Sequence, residues 1–161
     1  MLMSEPDCVF CQIIRREACA SMVYEDEQVI AFLSNRPVNV GHTLVVPKRH
    51  YTDIYGFPED EAAYIFKIAK RIAQAVKEAT GVEAIRIVQN NGKDAGQIIF
   101  HLHVHVIPMK PQNHLKIEND LRAPHHLEED AGKIRKQLDG INHLAQVPSS
   151  CKKPYINAKS A

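Results

Sequence analysis

Three histidines at alternate positions, His101, His103 and His105, stand in one apolar run, His101-Leu102-His103-Val104-His105-Val106-Ile107. In a β-strand alternate side chains share a face. The spacing therefore predicts three imidazoles in a row, with Leu102, Val104 and Val106 turned into a core behind them. Imidazole titrates near about pH 6.5, so at neutrality one ring can be a free base while its neighbour carries a proton. That is enough for nucleophilic attack and for protonation of a leaving group, without a serine, a cysteine or a metal hydroxide. An imidazole that attacks phosphorus forms a covalent nucleotidyl-histidine, which water then hydrolyses, while flanking donors stabilise charge on the phosphoryl oxygens. A second chemistry is open to the same residues: His-x-His on a strand, completed by a distant ligand, can hold a catalytic zinc. Successive rings about 6.5–7 Å apart are too spread for all three to ligate one ion.

Cys8 and Cys11 form a C-x-x-C pair, which reads as metal-binding or redox. Two ligands alone do not make a metal site. Cys19 and Cys151 show no partner in the sequence and read as incidental. His114, His125 and His126 have polar neighbours and read as solvent-facing.

The elements that must position these residues are legible in outline. A short helix with one apolar face (Phe10, Ile13, Ile14) follows the cysteine pair. Met22 to Glu25 and Gln28 to Leu33 read as strands around the turn Glu25-Asp26-Glu27, Ser34 to Val40 as a loop, and Thr43 to Val46 as a strand ending at Pro47. A long helix runs from about Pro58 to Ala79. Pro58 suits its first turn, Glu59, Asp60 and Glu61 complement the helix dipole, and Gly81 stops it. Ala62, Ile65, Phe66, Ala69, Ile72, Ala73 and Val76 give it one buried face. Ala84 to Gln89 alternates as a strand, Asn90-Asn91-Gly92 reads as a tight turn, and Ile98 to Ile107 reads as a long strand that stops at Pro108. His126 to Leu138 is expected to be helical. The order predicts an α+β domain on an antiparallel sheet of about five strands, with one long helix and shorter terminal helices. The domain is expected over residues 1–140 and a C-terminal tail over 141–161.

The chain has 161 residues, twenty of them Lys or Arg and nineteen Asp or Glu, for a formal net charge of +1. Near-neutrality argues against bulk attraction to nucleic acid or to a membrane surface. No apolar run reaches the roughly 20 residues of a membrane span, and the N-terminus lacks a signal-peptide core, so a cytoplasmic protein is expected. No Gly-rich phosphate-binding loop is present.

The histidine run is similar to the signature of the histidine-triad (HIT) family. Asn90-Asn91-Gly92-Lys93-Asp94-Ala95-Gly96-Gln97 resembles that family's approach to the triad, Gly41-His42-Thr43-Leu44-Val45-Val46-Pro47-Lys48-Arg49-His50 resembles its preceding strand, and Val23 to Asp26 with Ala31-Phe32-Leu33 fits its first hairpin. The likeness covers roughly residues 8–110. It implies a HIT-like fold and a homodimer with one purine-nucleotide site per subunit. The activity implied is cleavage of nucleoside phosphoramidates, dinucleoside polyphosphates or related compounds at the α-phosphate. By the same resemblance His103 matches the nucleophile, His105 contacts the phosphate region and His101 supports it. Gln97 lies on the phosphate side, and Asn90 lies near ribose and phosphate. Phe32 and Ile13 fall where members pack the base, although their default reading is core. Ser34, with Asn35 beside it, stands where many members carry an Asp or Asn that holds both ribose hydroxyls; a serine offers one hydroxyl. Some members with an N-terminal C-x-x-C bind structural zinc through ligands that here correspond to Cys8, Cys11, His50 and His101. Catalysis itself is expected to need no cofactor. A Hint-like phosphoramidase is the leading expectation. A dinucleoside polyphosphate hydrolase, a regulatory nucleotide-binding protein with vestigial catalysis, and a metal-dependent hydrolase on the histidine run are the alternatives.

Overall fold

The computed structural model describes residues 5–111 and 121–139. In chain order it contains α1 (Val9–Ile14), β1 (Met22–Glu25), β2 (Val29–Leu33), β3 (Thr43–Pro47), α2 (Glu59–Thr80), β4 (Ala84–Gln89), β5 (Val104–Met109) and α3 (Pro124–Asp139). The five strands form one sheet in the order β1-β2-β3-β5-β4, and every neighbouring pair is antiparallel. This is the expected α+β architecture. The expected tail at 141–161 lies outside the described residues, as do His114 and Cys151.

Strand alternation divides the interior into two layers. Val29, Ala31 and Leu33 of β2, Val45 of β3, and Val104 and Val106 of β5 face α2 and α3. Ile30, Phe32, Leu44 and Val46 face the other way and are covered by Phe10 and Ile13 of α1. The histidines of the 101–105 run share this second side, where the short N-terminal helix lies.

The buried stripe of α2 is Ile65, Ile68, Ala69, Ile72, Ala75 and Val76. Phe66, expected in that stripe, is 43% exposed. Ile68 and Ala75 complete the 3, 4 spacing in its place, which rotates the helix away from Phe66. Pro58 caps the helix start, and Gly81 ends it with a left-handed φ of 69° while its N–H donates to the Lys77 carbonyl. The β1–β2 turn is held by Asp26. Its Oδ1 accepts the backbone N–H groups of Gln28 and Val29, and its Oδ2 accepts the hydroxyls of Tyr24 and Tyr64, which ties the hairpin to α2.

Two expectations about the histidine strand are corrected. The strand begins at Val104 rather than Ile98 and runs through Pro108 to Met109. Only His105 of the triad therefore lies on it. Asn90-Asn91-Gly92 is also not a tight turn that joins β4 directly to β5. Gln89 pairs with Val104, so residues 90–103 form a long connection with a short 3₁₀ turn at Lys93–Ala95. The physical reason lies in what the neighbouring backbone offers. β3 pairs with β5 over Thr43–Val45 against Val104–Val106. Farther along β3, Pro47 has no N–H to give a ladder, and its carbonyl is taken by the His101 ring instead. Leu102 N–H turns to the Tyr51 carbonyl.

Cys19 is corrected as well: it is buried and disulfide-bonded rather than incidental.

Gly41, which leads into β3, has φ +97°, and a Cβ there would stand 2.8 Å from Thr80 Cγ2. Gly41→Ala is expected to destabilise the protein by about 1–3 kcal/mol, read as a lower urea midpoint at unchanged slope. An unchanged midpoint would show that this turn tolerates a side chain.

Candidate active site

The site is built from the connection before β5, the start of β3 and α1. His101 is fully buried. Its Nε2–H donates to the Pro47 carbonyl at 2.8 Å, because a carbonyl can only accept. That bond leaves a lone pair on Nδ1, which faces Cys8 Sγ at 3.4 Å and Cys11 Sγ at 3.6 Å. His50 Nδ1 lies 3.3 Å from Cys11 Sγ, and the ligand atoms of Cys8, Cys11, His50 and His101 all lie within 4.8 Å of one another. Two sulfurs and two imidazole nitrogens in one compact group are a closed tetrahedral donor set for zinc. The carbonyl behind His101 is the support a ligating histidine usually has. The donor set thus fits the metal. Burial pushes the Cys11 thiol up to about 11, against a weaker lowering by the Glu5 backbone.

His103 is 5% exposed and sits between this group and β5. Its Nδ1–H donates to the His101 carbonyl at 2.7 Å. The proton is thereby assigned to Nδ1, and Nε2 carries the lone pair. The Phe10 ring lies edge-on to both His103 (5.2 Å) and His101 (5.9 Å), holding the two rings on one side of the chain.

His105, half-buried, has its ring 4.7 Å from that of His103. A fourth histidine, His42, fixes its tautomer. His42 Nδ1 accepts the Val38 N–H at 3.2 Å, so the His42 proton is on Nε2. That Nε2–H donates to His105 Nδ1 at 3.0 Å, which leaves the His105 proton on Nε2. Two adjacent rings therefore hold opposite roles: a bare nitrogen on His103 and an N–H on His105. Burial is the first cause of the lowered pKa of each ring. It takes His42 to about 4, with the His103 charge adding to it, and His105 to about 3, with His103 and His42 adding. His103 is lowered by burial against an opposing pull from the His101 carbonyl. Neutral imidazoles result at physiological pH.

His42 is absent from the site residues that the sequence pattern marks. Its signal was parity: it precedes β3 two residues before Leu44, which pairs with His105. The sequence pattern places Phe10 only on the apolar face of the first helix.

The other expected residues are distributed as follows. Gln97 is 2% exposed, and its amide is fully engaged by backbone. Its Oε1 accepts the Gly92 N–H at 2.8 Å, and its Nε2 donates to the carbonyls of Thr52 and Ile99 at 2.6 and 3.2 Å. It thus braces the 90–103 connection. Asn90 is half-buried at the start of that connection. Phe32 and Ile13 belong to the apolar layer around Phe10. Ser34 is 1% exposed just past β2, on the parity of Phe32, and its Oγ accepts the Arg36 N–H. Asn35 follows it and gives its carbonyl to the Arg122 N–H.

Comparison with known proteins agrees with this geometry. A family model described as the HIT domain matches residues 15–112. An uncharacterised HIT-like protein of Methanocaldococcus jannaschii is 48% identical over 101 residues, 63% of this chain and 78% of that protein. Adenylylsulfatase HINT3 of Arabidopsis thaliana is 39% identical over 144 residues, 88% of this chain and 72% of that protein. Among solved structures, a Zn-bound histidine triad family protein from Mycobacterium smegmatis superposes with TM-score 0.75 at 36% identity, covering 84% of this chain and 95% of that one. With the family model matched over residues 15–112 and a relative 39% identical over 88% of the chain, the chain belongs to the histidine-triad family.

Proposed function

We propose that this protein is a Hint-like nucleotide hydrolase that cleaves nucleoside phosphoramidates at the α-phosphate through a covalent nucleotidyl-His103 intermediate. The observation that carries this reading is the pair of opposed tautomers: a bare Nε2 on His103 beside an Nε2–H on His105. In the first step the His103 Nε2 lone pair forms a bond to the α-phosphorus. The P–N bonding pair leaves with the amine, which takes a proton from water. The His105 Nε2–H donates a hydrogen bond to a phosphoryl oxygen as charge builds on it. In the second step water attacks the same phosphorus, and the electron pair of the P–N bond to His103 returns to Nε2. His101 carries no part of the bond-making; it holds His103 through its carbonyl. In this reading Asn90 contacts ribose and phosphate, Ser34 and Asn35 meet the ribose, and Phe32 and Ile13 back a purine base. Gln97 acts through the loop it braces. The Arabidopsis relative is named an adenylylsulfatase, so an adenylyl sulfate, in which the group leaving the α-phosphorus is sulfate, is the second substrate class to assay.

His103→Ala is expected to abolish turnover of an AMP phosphoramidate, and a rapidly quenched wild-type reaction is expected to yield an adenylylated His103 peptide by mass spectrometry. Persistent turnover in the variant would end the nucleophile assignment. His42→Ala frees the His105 tautomer and is expected to lower kcat by about 10²-fold or more while nucleotide binding is retained.

Because the His103 pKa is lowered, its base form persists through neutrality. kcat/KM is therefore expected to stay flat down to about pH 6.5 and to fall only below the ordinary histidine range. The same burial shapes stability. Below about pH 6.5 the unfolded chain takes up protons that His42 and His105 refuse in the fold, so stability declines as pH falls from there toward their values of about 4 and 3. An acid limb centred above pH 6.5 would contradict the assignment.

The metal reading predicts one zinc per chain, held by Cys8, Cys11, His50 and His101. The ion supplies cross-linking of α1 to the histidine segment rather than chemistry. Chelation under reducing conditions is expected to lower Tm, while the folded fraction still turns over phosphoramidate. Loss of all turnover on chelation, with recovery on adding metal, would favour the metal-hydrolase alternative.

A homodimer completes the proposal. β1 is sheltered at its edge by α3, whose Arg135 donates to the Met22 carbonyl. β4 is the open edge of the sheet, with Ile87 42% exposed. Light scattering is expected to give twice the chain mass, and Ile87→Lys is expected to shift it toward the monomer. The protein is expected to act on a small nucleotide in the cytoplasm, without nucleic-acid or membrane partners. Among the described residues no helix is long and apolar enough to cross a membrane.

A further inference from the structure

We propose that Cys8 and Cys11 form a thiol–disulfide switch. A low-molecular-weight disulfide oxidises the pair, expels the metal held with His50 and His101, and loosens the His103 ring through the His101 carbonyl. The inference rests on the metal reading of this four-residue group. It is carried by the unequal access of two neighbouring sulfurs and by their place beside the catalytic ring.

Cys8 and Cys11 are free thiols. Cys8, at the N-cap of α1, is half-buried and within reach of a small reagent, whereas Cys11, in the first turn, is 1% exposed. An accessible thiol with a second one directly behind it is the arrangement in which an attacked cysteine is resolved by its neighbour. The two sulfurs already belong to a set of ligand atoms within 4.8 Å of one another. A disulfide needs Cβ atoms about 3.5–4.5 Å apart, so closure requires only a local shift. α1 offers little resistance to that shift: it has six residues and no side-chain cap hydrogen bond.

The chemistry balances with the small disulfide as the oxidant. The Cys8 sulfur attacks one sulfur of the reagent, forming a mixed disulfide and releasing one thiolate. The Cys11 sulfur then attacks Cys8, forming the Cys8–Cys11 disulfide and releasing the second thiolate. The two cysteines lose two electrons, the reagent gains them, and the released thiolates take protons from water. With both sulfurs consumed, only His50 and His101 of the four residues that would hold zinc remain as ligands, and the ion would be released.

The consequence reaches catalysis through two contacts already described. The His101 ring keeps its bond to Pro47 but loses the partner on Nδ1. Its carbonyl is the acceptor that sets the His103 Nδ1–H. A less constrained His101 leaves the nucleophile less well aimed. Loss of such support behind a site typically costs about 10–100-fold.

The test uses the full chain, reduced and loaded with zinc, then exposed to oxidised glutathione. Three readouts are followed together: zinc release to a chromophoric chelator, mass spectrometry of the peptide containing Cys8 and Cys11, and phosphoramidate turnover. The expected result is release of one zinc per chain, in step with loss of one hydrogen from each cysteine. An activity drop of about tenfold is expected, reversed by dithiothreitol with added zinc. In Cys11→Ser the reaction is expected to stop at a glutathione adduct on Cys8. The switch is overturned if zinc stays bound and both thiols stay unmodified, or if the wild-type chain halts at the Cys8 adduct. It is also overturned if the disulfide forms and zinc leaves with turnover unchanged. A reduced chain that binds no zinc in equilibrium dialysis overturns the metal reading itself, and that result is separate from all of these.

Discussion

The hydrogen bond from His103 Nδ1–H to the His101 carbonyl is the constraint on which the site depends. It fixes a proton on one nitrogen and so leaves a lone pair on the other, in a ring too buried to ionise easily. The bond is only as good as the placement of its acceptor. His101 is held from both ends of its ring, by the Pro47 carbonyl and by the Cys8–Cys11–His50 group, so the carbonyl two bonds away from its side chain has little freedom. The His103 ring is thus positioned by backbone that a side chain of the same segment anchors.

A second chain of bonds does the complementary work on His105. It runs from the Val38 N–H through His42 to His105 and makes a donor where the first chain makes an acceptor. Each chain ends in a backbone group whose role cannot change, an amide N–H or a carbonyl. Rings of one residue type thereby become chemically distinct with, among the described residues, no charged partner bonded to them. The common field around them is apolar: Phe10, Phe32, Leu44 and Val46 lie in the same layer. Low polarity keeps the imidazoles neutral and strengthens the hydrogen bonds they make.

The layout also explains why an α+β sheet serves this purpose. One face is committed to α2 and α3, with a core continuous enough to hold β3 and β5 rigid. The opposite face is covered mainly by the six-residue α1 and the connection from Asn90 to His103. The histidine cluster sits on the side with the lighter covering. Gln97 makes that covering a defined structure by satisfying three backbone groups at once.

Much of this was legible in the residues themselves. The apolar runs Val29–Leu33 and Thr43–Pro47, the alternation of Ala84–Gln89 and the 3, 4 spacing of α2 are local properties, so the elements could be read directly, although β2 and β3 are buried on both faces and their pattern does not say which face meets which layer. The chemical character of the histidine run and the Cys8–Cys11 pair was equally local. What the sequence could not decide was non-local pairing. Periodicity continues smoothly from Ile98 to Ile107, yet the strand starts at Val104, because the neighbouring backbone at Pro47 has no N–H to offer and its carbonyl goes to a side chain. Phe66 has the right spacing for the buried stripe of α2, but the helix is rotated by what lies beneath it. The part of His42 and the tautomers of His103 and His105 depend on which amide or carbonyl stands opposite each ring nitrogen. Residue identity supplied the imidazoles and the thiols. Only the folded chain, by choosing their hydrogen-bond partners, determined which nitrogen carries the lone pair, which carries the proton, and which faces the Cys8–Cys11–His50 group.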